Sequence, residues 1–182
     1  MNSKTNLELK HYCPDFNKVR AVLKKIGAKK FIVKKQKDYF FNLPEIKDRQ
    51  TPRLKLRIEK NLTTLVYYER PEFKSLKDTT SKVKLYNVMD KKLLPFLEES
   101  LGVKAIVEKK REVWKKANSV FHLDIIKDVG NVFEIELQKV GKINKKDKAV
   151  FKEYQDQLNP YLGKIIKGSN LDLVGKLRMY YH

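Results

Sequence analysis

The chain is 182 residues long and 41% hydrophobic, with 41 Lys and Arg against 22 Asp and Glu, a formal net charge of +19. That is enough for a single domain, 1–182, with a substantial core, and its field favours anionic partners such as nucleotides, polyphosphate, nucleic acid or anionic lipid without choosing among them. The single cysteine, Cys13, excludes an internal disulfide and a multi-cysteine zinc site, and no segment reaches membrane-spanning length, so a soluble cytoplasmic protein with no membrane partner is expected.

Asn6 to Tyr12 predicts a strand, and Pro14-Asp15 opens a helix to about Ile26, with Phe16, Val19, Val22, Leu23 and Ile26 on one stripe and Gly27 as its stop. Phe31 to Leu43 reads as a strand ending at Pro44. After a polar loop to Pro52, two strands, Arg53 to Glu59 and Leu62 to Arg70, form a hairpin around Lys60-Asn61. Pro71 to Thr80 reads as a polar linker, Lys82 to Val88 as a strand, and Lys91 to Leu101 as a helix ending at Gly102. Strands follow at about 105–116, 120–126 and 132–139, with turns at Asn118-Ser119 and Gly130-Asn131. Asp147 to Leu158 predicts a helix, and Tyr161 to His182 closes the chain.

Several strands carry charge on one face only. In Arg53-Leu54-Lys55-Leu56-Arg57-Ile58-Glu59 the odd positions are charged and the even ones aliphatic, and residues two apart in a strand share a face. The pattern recurs in Leu7-Glu8-Leu9-Lys10, Val107 to Arg111 and Phe133-Glu134-Ile135-Glu136-Leu137, with acids concentrated in the first and last. A charged face on one strand ordinarily meets water. Repeated over so many strands, it points to an α+β fold: a closed or nearly closed antiparallel barrel with a charged interior, packed against helices.

Glu8, Asp124, Glu134 and Glu136 supply the hard oxygen ligands that Mg2+ or Mn2+ prefers. Lys10, Lys55, Arg57, Arg70, Lys82, Lys84, Lys109 and Arg111 supply the cations a polyphosphate needs. Any single such pair is ordinary strand chemistry that cross-strand pairing alone would explain. His122 reads as a polar wall residue and Trp114 as packing. With no Ser/His/Asp arrangement and no Gly-rich phosphate loop, covalent catalysis is not expected. Only seven of the basic residues are Arg, and runs such as Lys24-Lys25, Lys34-Lys35, Lys115-Lys116 and Lys145-Lys146 read as solvated surface.

The order of these motifs resembles the CYTH domain, the group of class IV adenylyl cyclases and thiamine triphosphatases also called triphosphate tunnel metalloenzymes. Asn6-Leu7-Glu8-Leu9-Lys10 is similar to its E-x-E-x-K signature, Gln36-Lys37-Asp38-Tyr39-Phe40 to a Q-x-D-x-Y/F strand, Arg53 to Arg57 to an L-K-x-R strand, and Tyr67 to Pro71 to an aromatic-x-R strand. Lys109-Lys110-Arg111, His122-Leu123-Asp124, Gly130 to Glu136 and Ser169 to Leu173 continue the likeness over nearly the whole chain. Asn6 departs from the signature, whose first residue is Glu; the N-x-E-x-K form resembles a branch labelled class IV cyclase-like.

The resemblance implies an eight-stranded antiparallel tunnel with flanking helices that binds a triphosphate end-on. Glu8, Asp124, Glu134 and Glu136 are implied to hold Mg2+ or Mn2+. Lys10, Lys55, Arg57, Arg70, Lys109 and Arg111, with Lys84 a weaker match, are implied to bind the phosphates, and Lys10 beside Glu8 to assist catalysis. The family often places acids on the strand of Lys82 and Lys84, so these two change the tunnel charge or point elsewhere. Implied substrates are ATP, thiamine triphosphate or inorganic triphosphate, through cyclisation to cyclic AMP and pyrophosphate or through hydrolysis. A homodimer is left open. The alternative from another class is a non-catalytic polyanion or RNA binder using the Lys-rich surface.

Overall fold

A computed structural model describes residues 4–44, 51–70, 80–90 and 92–179, and side chains within these except at 4, 51, 70, 80–82 and 175–179. Most of the predicted polar loop before Pro52 and of the linker after Arg70 therefore lies outside the described residues. The elements run β1 (Lys4–Tyr12), α1 (Phe16–Lys25), β2 (Lys29–Phe41), β3 (Thr51–Ile58), β4 (Thr63–Arg70), β5 (Thr80–Val88), α2 (Leu93–Leu101), β6 (Val103–Lys116), β7 (Ser119–Ile126) and β8 (Gly130–Lys139). They end with α3 (Lys145–Leu158), a 3-10 turn at Asn159–Tyr161, β9 (Ile165–Ile166) and α4 (Asn170–Met179).

All strand pairings are antiparallel, in the order β5-β4-β3-β2-β6-β7-β8-β1-β9, and β1 also pairs with β5. Eight strands thus form a ring with a short seam: β1 meets β5 only from Lys4↔Val83 to Leu7↔Thr80, and its second half takes β9 at Lys10↔Ile166 and His11↔Ile165. The fold is α+β, with helices laid on an antiparallel sheet that curls back on itself. None of the described helices is long and apolar enough to cross a membrane.

Local chemistry sets the element boundaries. Asp15 caps α1 by accepting from the Asn17 amide at 2.8 Å. Gly27 reverses the chain at φ 81°, where a side chain is strained, and β2 starts by Lys29, earlier than the pattern alone predicts. Helix α3 also starts early, at Lys145, because Asn144 is its cap and Asp147 completes a capping box from the first turn rather than opening the helix.

The outer faces of β1, β7 and β8 supply Leu7, Phe121, Leu123, Phe133, Ile135 and Leu137 to a core shared with Phe16, Val19 and Leu23 of α1 and Phe151, Tyr154 and Leu158 of α3. Trp114, read as packing, is in this core, and its Nε1 donates to Glu112 at 2.7 Å. A second cluster sets Leu97 of α2 on Phe41 and Leu56. The third closes one end of the ring, where Phe40, Ala105, Val107, Ile126 and Val132 meet Ile166, Leu171 and Leu173 of β9 and α4.

Candidate active site

With the apolar residues turned outward, alternation turns the charged rows inward around a cavity of about 680 Å3. Its wall includes Glu8 and Lys10 of β1, Lys55 and Arg57 of β3, Lys109 and Arg111 of β6, His122 of β7, and Glu134 and Glu136 of β8. All eight strands from β1 to β8 contribute inward-facing polar or apolar side chains, and the predicted charged interior is thereby realised.

Asp38 on β2 has no exposed surface. Lys55 Nζ reaches its Oδ2 at 2.8 Å, and Arg57 grips it with Nε at 2.7 Å and Nη2 at 2.9 Å. Lys109 lies between two carboxylates, 3.9 Å from Asp38 and 3.7 Å from Asp124. Arg111 then closes on Asp124 and extends Nη2 to Glu134 at 3.0 Å. Lys10 continues the chain of opposite charges, 3.1 Å from Glu134 and 3.7 Å from Glu8. Such buried charges are tolerable because each has an opposite charge beside it, and most are hydrogen-bonded to it.

Protonation follows from this lattice. Burial would raise the Asp38 carboxyl, but Lys55, Arg57 and Lys109 hold it well below the usual carboxylate range. Burial likewise opposes ionisation of Asp124 and Glu134, and the surrounding cations, Arg111 foremost at Asp124 and Lys10 at Glu134, keep both low. On the cationic side burial dominates: with Arg57 alongside, it lowers Lys55 to about 8, and with Arg111 alongside it takes Lys109 well below the usual lysine range.

The carboxylates divide into two kinds. Asp124, expected as a metal ligand, is fully buried, hydrogen-bonded to Arg111 and 3.7 Å from Lys109, and it lies behind the cavity lining. Glu8, Glu134 and Glu136 do line the cavity. Glu8 stands directly opposite Glu136 across β1 and β8, and like charges so paired repel unless a cation lies between them. Glu136 is steadied by Asn6 Nδ2, by His122 Nε2 at 3.0 Å and by Gln138 Nε2 at 3.1 Å, while Asn6 Oδ1 is buried without a partner among the described residues. The hard oxygens of Glu8, Glu134, Glu136 and Asn6 therefore fit a divalent cation in donor type and in the repulsion it would relieve. Among the described residues no three acids or histidines are gathered tightly enough to hold one as they stand.

Lys10, Lys55, Arg57, Lys109 and Arg111 meet in the cavity as expected. Lys84 does not: inward positions on β5 are Val83 and Leu85, so Lys84 points outward, exposed, with Nζ 5.8 Å from the Tyr67 ring. The Arg70 backbone ends β4 opposite Thr51, and its side chain lies outside the described residues, as does that of Lys82. Lys34, read as surface, lines the cavity and pairs with Glu59 at 2.7 Å, while its neighbour Lys35 is exposed. Asp38, present in the sequence motif without a role, is the residue that holds Lys55 and Arg57 in place. Its place in Lys34-Gln36-Asp38-Phe40, an i, i+2 row on one face, was the available signal. Ser169 and Asn170, at the start of α4, line the same cavity near its closed end.

A CYTH domain model matches residues 4–164. "Putative adenylate cyclase MJ0240" of Methanocaldococcus jannaschii is 32% identical over 175 residues, 93% of this chain and 98% of that protein. Among solved structures, the PH1819 protein of Pyrococcus horikoshii superposes with a TM-score of 0.76 at 22% identity, covering 95% of this chain and 99% of that one. HpAC1 of Hippeastrum, described as a "Putative adenylyl cyclase" that "reveals a dominant triphosphatase activity", shares the fold with a TM-score of 0.62 at 12% identity, each chain covered to 95%. With the family model spanning every strand of the ring, this chain belongs to the CYTH domain family.

Proposed function

We propose that the tunnel binds the phosphate chain of an organic or inorganic triphosphate and that the protein is a divalent-metal-dependent enzyme of the adenylyl cyclase or triphosphatase kind. The observation that carries this reading is the state of the two arginines. Arg57 and Arg111 each spend Nε and Nη2 on carboxylates, and among the described residues their Nη1 groups have no acceptor, leaving fixed donors beside Lys10, Lys55 and Lys109. Oriented guanidinium donors in the cavity wall suit phosphoryl oxygens, whose charge shifts during transfer. The name of MJ0240 favours the cyclase side.

Glu8, Glu134 and Glu136, with the Asn6 oxygen, would hold Mg2+ or Mn2+, which would supply charge neutralisation on the phosphate oxygens. Lys10, poised between Glu8 and Glu134, would bind the phosphate chain and help position the attacking hydroxyl, the ribose 3′-oxygen in cyclisation or water in hydrolysis. Asp38 and Asp124 would keep the cations aimed. The test is to incubate the protein with ATP, inorganic triphosphate and thiamine triphosphate in the presence of Mg2+ or Mn2+ and to identify the products. Cyclic AMP with pyrophosphate identifies a cyclase and orthophosphate a triphosphatase, while absence of any product overturns the enzyme reading.

A further inference from the structure

The end of the tunnel away from α4 is unlike the rest of its wall. Following each strand out of the charged lattice leads to β2 at its N-terminal end and β5 and β6 at their C-terminal ends, where Phe31, Ile32, Leu85, Tyr86, Asn87 and Lys115 line the cavity. Four of these are large apolar or aromatic side chains left in solvent: Phe31 at 64% exposure, Ile32 at 45%, Leu85 at 55% and Tyr86 at 64%. Apolar groups clustered at the mouth of a charged tunnel lie where a ligand would cover them.

Phe31 owes its position to a break in register. Lys30 pairs with Trp114 and Ile32 with Val113, so Phe31 is the extra residue of a β-bulge between β2 and β6. Bulges at barrel rims re-aim side chains. Uninterrupted alternation from Lys34, Gln36 and Asp38 would turn Ile32 inward and Phe31 outward; with the bulge, both line the mouth. Lys115 Nζ sits 3.6 Å from the centre of the Phe31 ring, on one face of it. The ring remains largely open, with a fixed cation beside it.

Resting on the triphosphate reading above, we propose that Phe31 and Lys115 form a recognition site for the neutral heteroaromatic base of a nucleoside triphosphate, distinguishing it from inorganic triphosphate and from cationic organic heads. A phosphate chain held by the deep cations leaves its organic end toward the mouth. There the Phe31 face stacks on a planar base, Tyr86 lines the other strand, and the Lys115 ammonium and Asn87 amide can meet acceptors on the base edge. A positively charged ring, such as that of thiamine, meets Lys115 at the same point and is disfavoured.

The test compares ATP, inorganic tripolyphosphate and thiamine triphosphate by calorimetry, with the fluorescence of 1,N6-ethenoadenosine triphosphate as a direct report of stacking. Phe31→Ala removes an exposed side chain and leaves the cores intact, and Phe31→Trp keeps an aromatic face. Wild-type protein should bind ATP more tightly than either of the others and quench the etheno base. Phe31→Ala should weaken ATP about tenfold, abolish the quenching and leave tripolyphosphate affinity unchanged, with Phe31→Trp restoring both. Lys115→Ala should narrow the gap between ATP and thiamine triphosphate. Equal binding of ATP and tripolyphosphate by wild type, or equal weakening of both in Phe31→Ala, would overturn the base site while leaving the triphosphate site standing. If none of the three binds, the triphosphate reading itself fails and the base site falls with it.

Discussion

Arg111 and Asp124 face each other directly across β6 and β7, and the guanidinium closes on the carboxylate through Nε at 2.6 Å and Nη2 at 2.5 Å. Asp124 has no exposed surface, so removing its charge strands a buried cation. Asp124→Ala should lower the stability of the fold by about 3 to 5 kcal/mol, the scale for breaking a buried ion pair from one side. Urea denaturation checks this, and unchanged stability with lost metal affinity would return Asp124 to the ligands.

Glu134 and Glu136 should respond differently to neutralisation. Both Glu134→Gln and Glu136→Gln should abolish metal-dependent turnover. Glu134 also accepts from Lys10 and Arg111, so its substitution should cost stability as well, about 2 kcal/mol for hydrogen bonds to charged groups. Glu136 accepts from Asn6, His122 and Gln138 and is relieved of repulsion against Glu8, so its substitution should leave the melting temperature nearly unchanged. Product analysis and thermal melts on both variants check the contrast.

Lys55 makes triphosphate binding sensitive to pH. Burial, with Arg57 beside it, lowers its ammonium to about 8, and a bound anion favours the charged form. Binding should therefore take up protons near pH 8, with affinity highest below that value and falling as pH rises through it. In the free protein the sign is opposite. Folded Lys55 holds fewer protons than the unfolded chain between about 8 and its ordinary 10.5, so its contribution to stability grows as pH rises across that window. Calorimetry of tripolyphosphate binding from pH 7 to 9 checks the first effect, and Lys55→Met should flatten the profile.

The outer lysines separate a tunnel enzyme from a surface polyanion binder. Lys24, Lys25, Lys145 and Lys146 lie exposed on α1 and α3, outside the ring, and exposed charges beyond a Debye length of roughly 8–10 Å are screened at physiological salt. Changing all four to Gln should leave triphosphate turnover nearly intact. Flattening of a steep salt dependence of RNA affinity, with no turnover of any triphosphate, would favour the polyanion binder.

Much of the ring is legible because alternation is a local signal. Leu7-Glu8-Leu9-Lys10 and Arg53 to Glu59 each declare two faces within a few residues, and the structure turns those faces as the pattern requires. Register is not local. That Asp124 meets Arg111, and that Glu8 meets Glu136, depends on which residues two distant strands set opposite each other, so the pattern alone could not say which of the four acids lines the cavity and which lies behind it. The direction of Lys84 was open for a related reason, since a charge on a strand does not announce which face is inward when its neighbours on both faces are mixed. Phe31 was hidden further: a bulge leaves no mark in composition, and its effect is to make the alternation rule wrong at one residue.

The apolar plug formed by Phe40, Ile166, Leu171 and Leu173 fills one end of the ring, so a substrate would enter and leave by the other. A reaction that splits a substrate lying lengthwise in such a dead end imposes an order on departure: the fragment nearer the mouth leaves first and the inner phosphate fragment last. For cyclisation, pyrophosphate would be the last product out, competing directly with incoming ATP, whereas cyclic AMP would inhibit without competing. The kinetic scheme would then follow from which side chains close the floor of the tunnel.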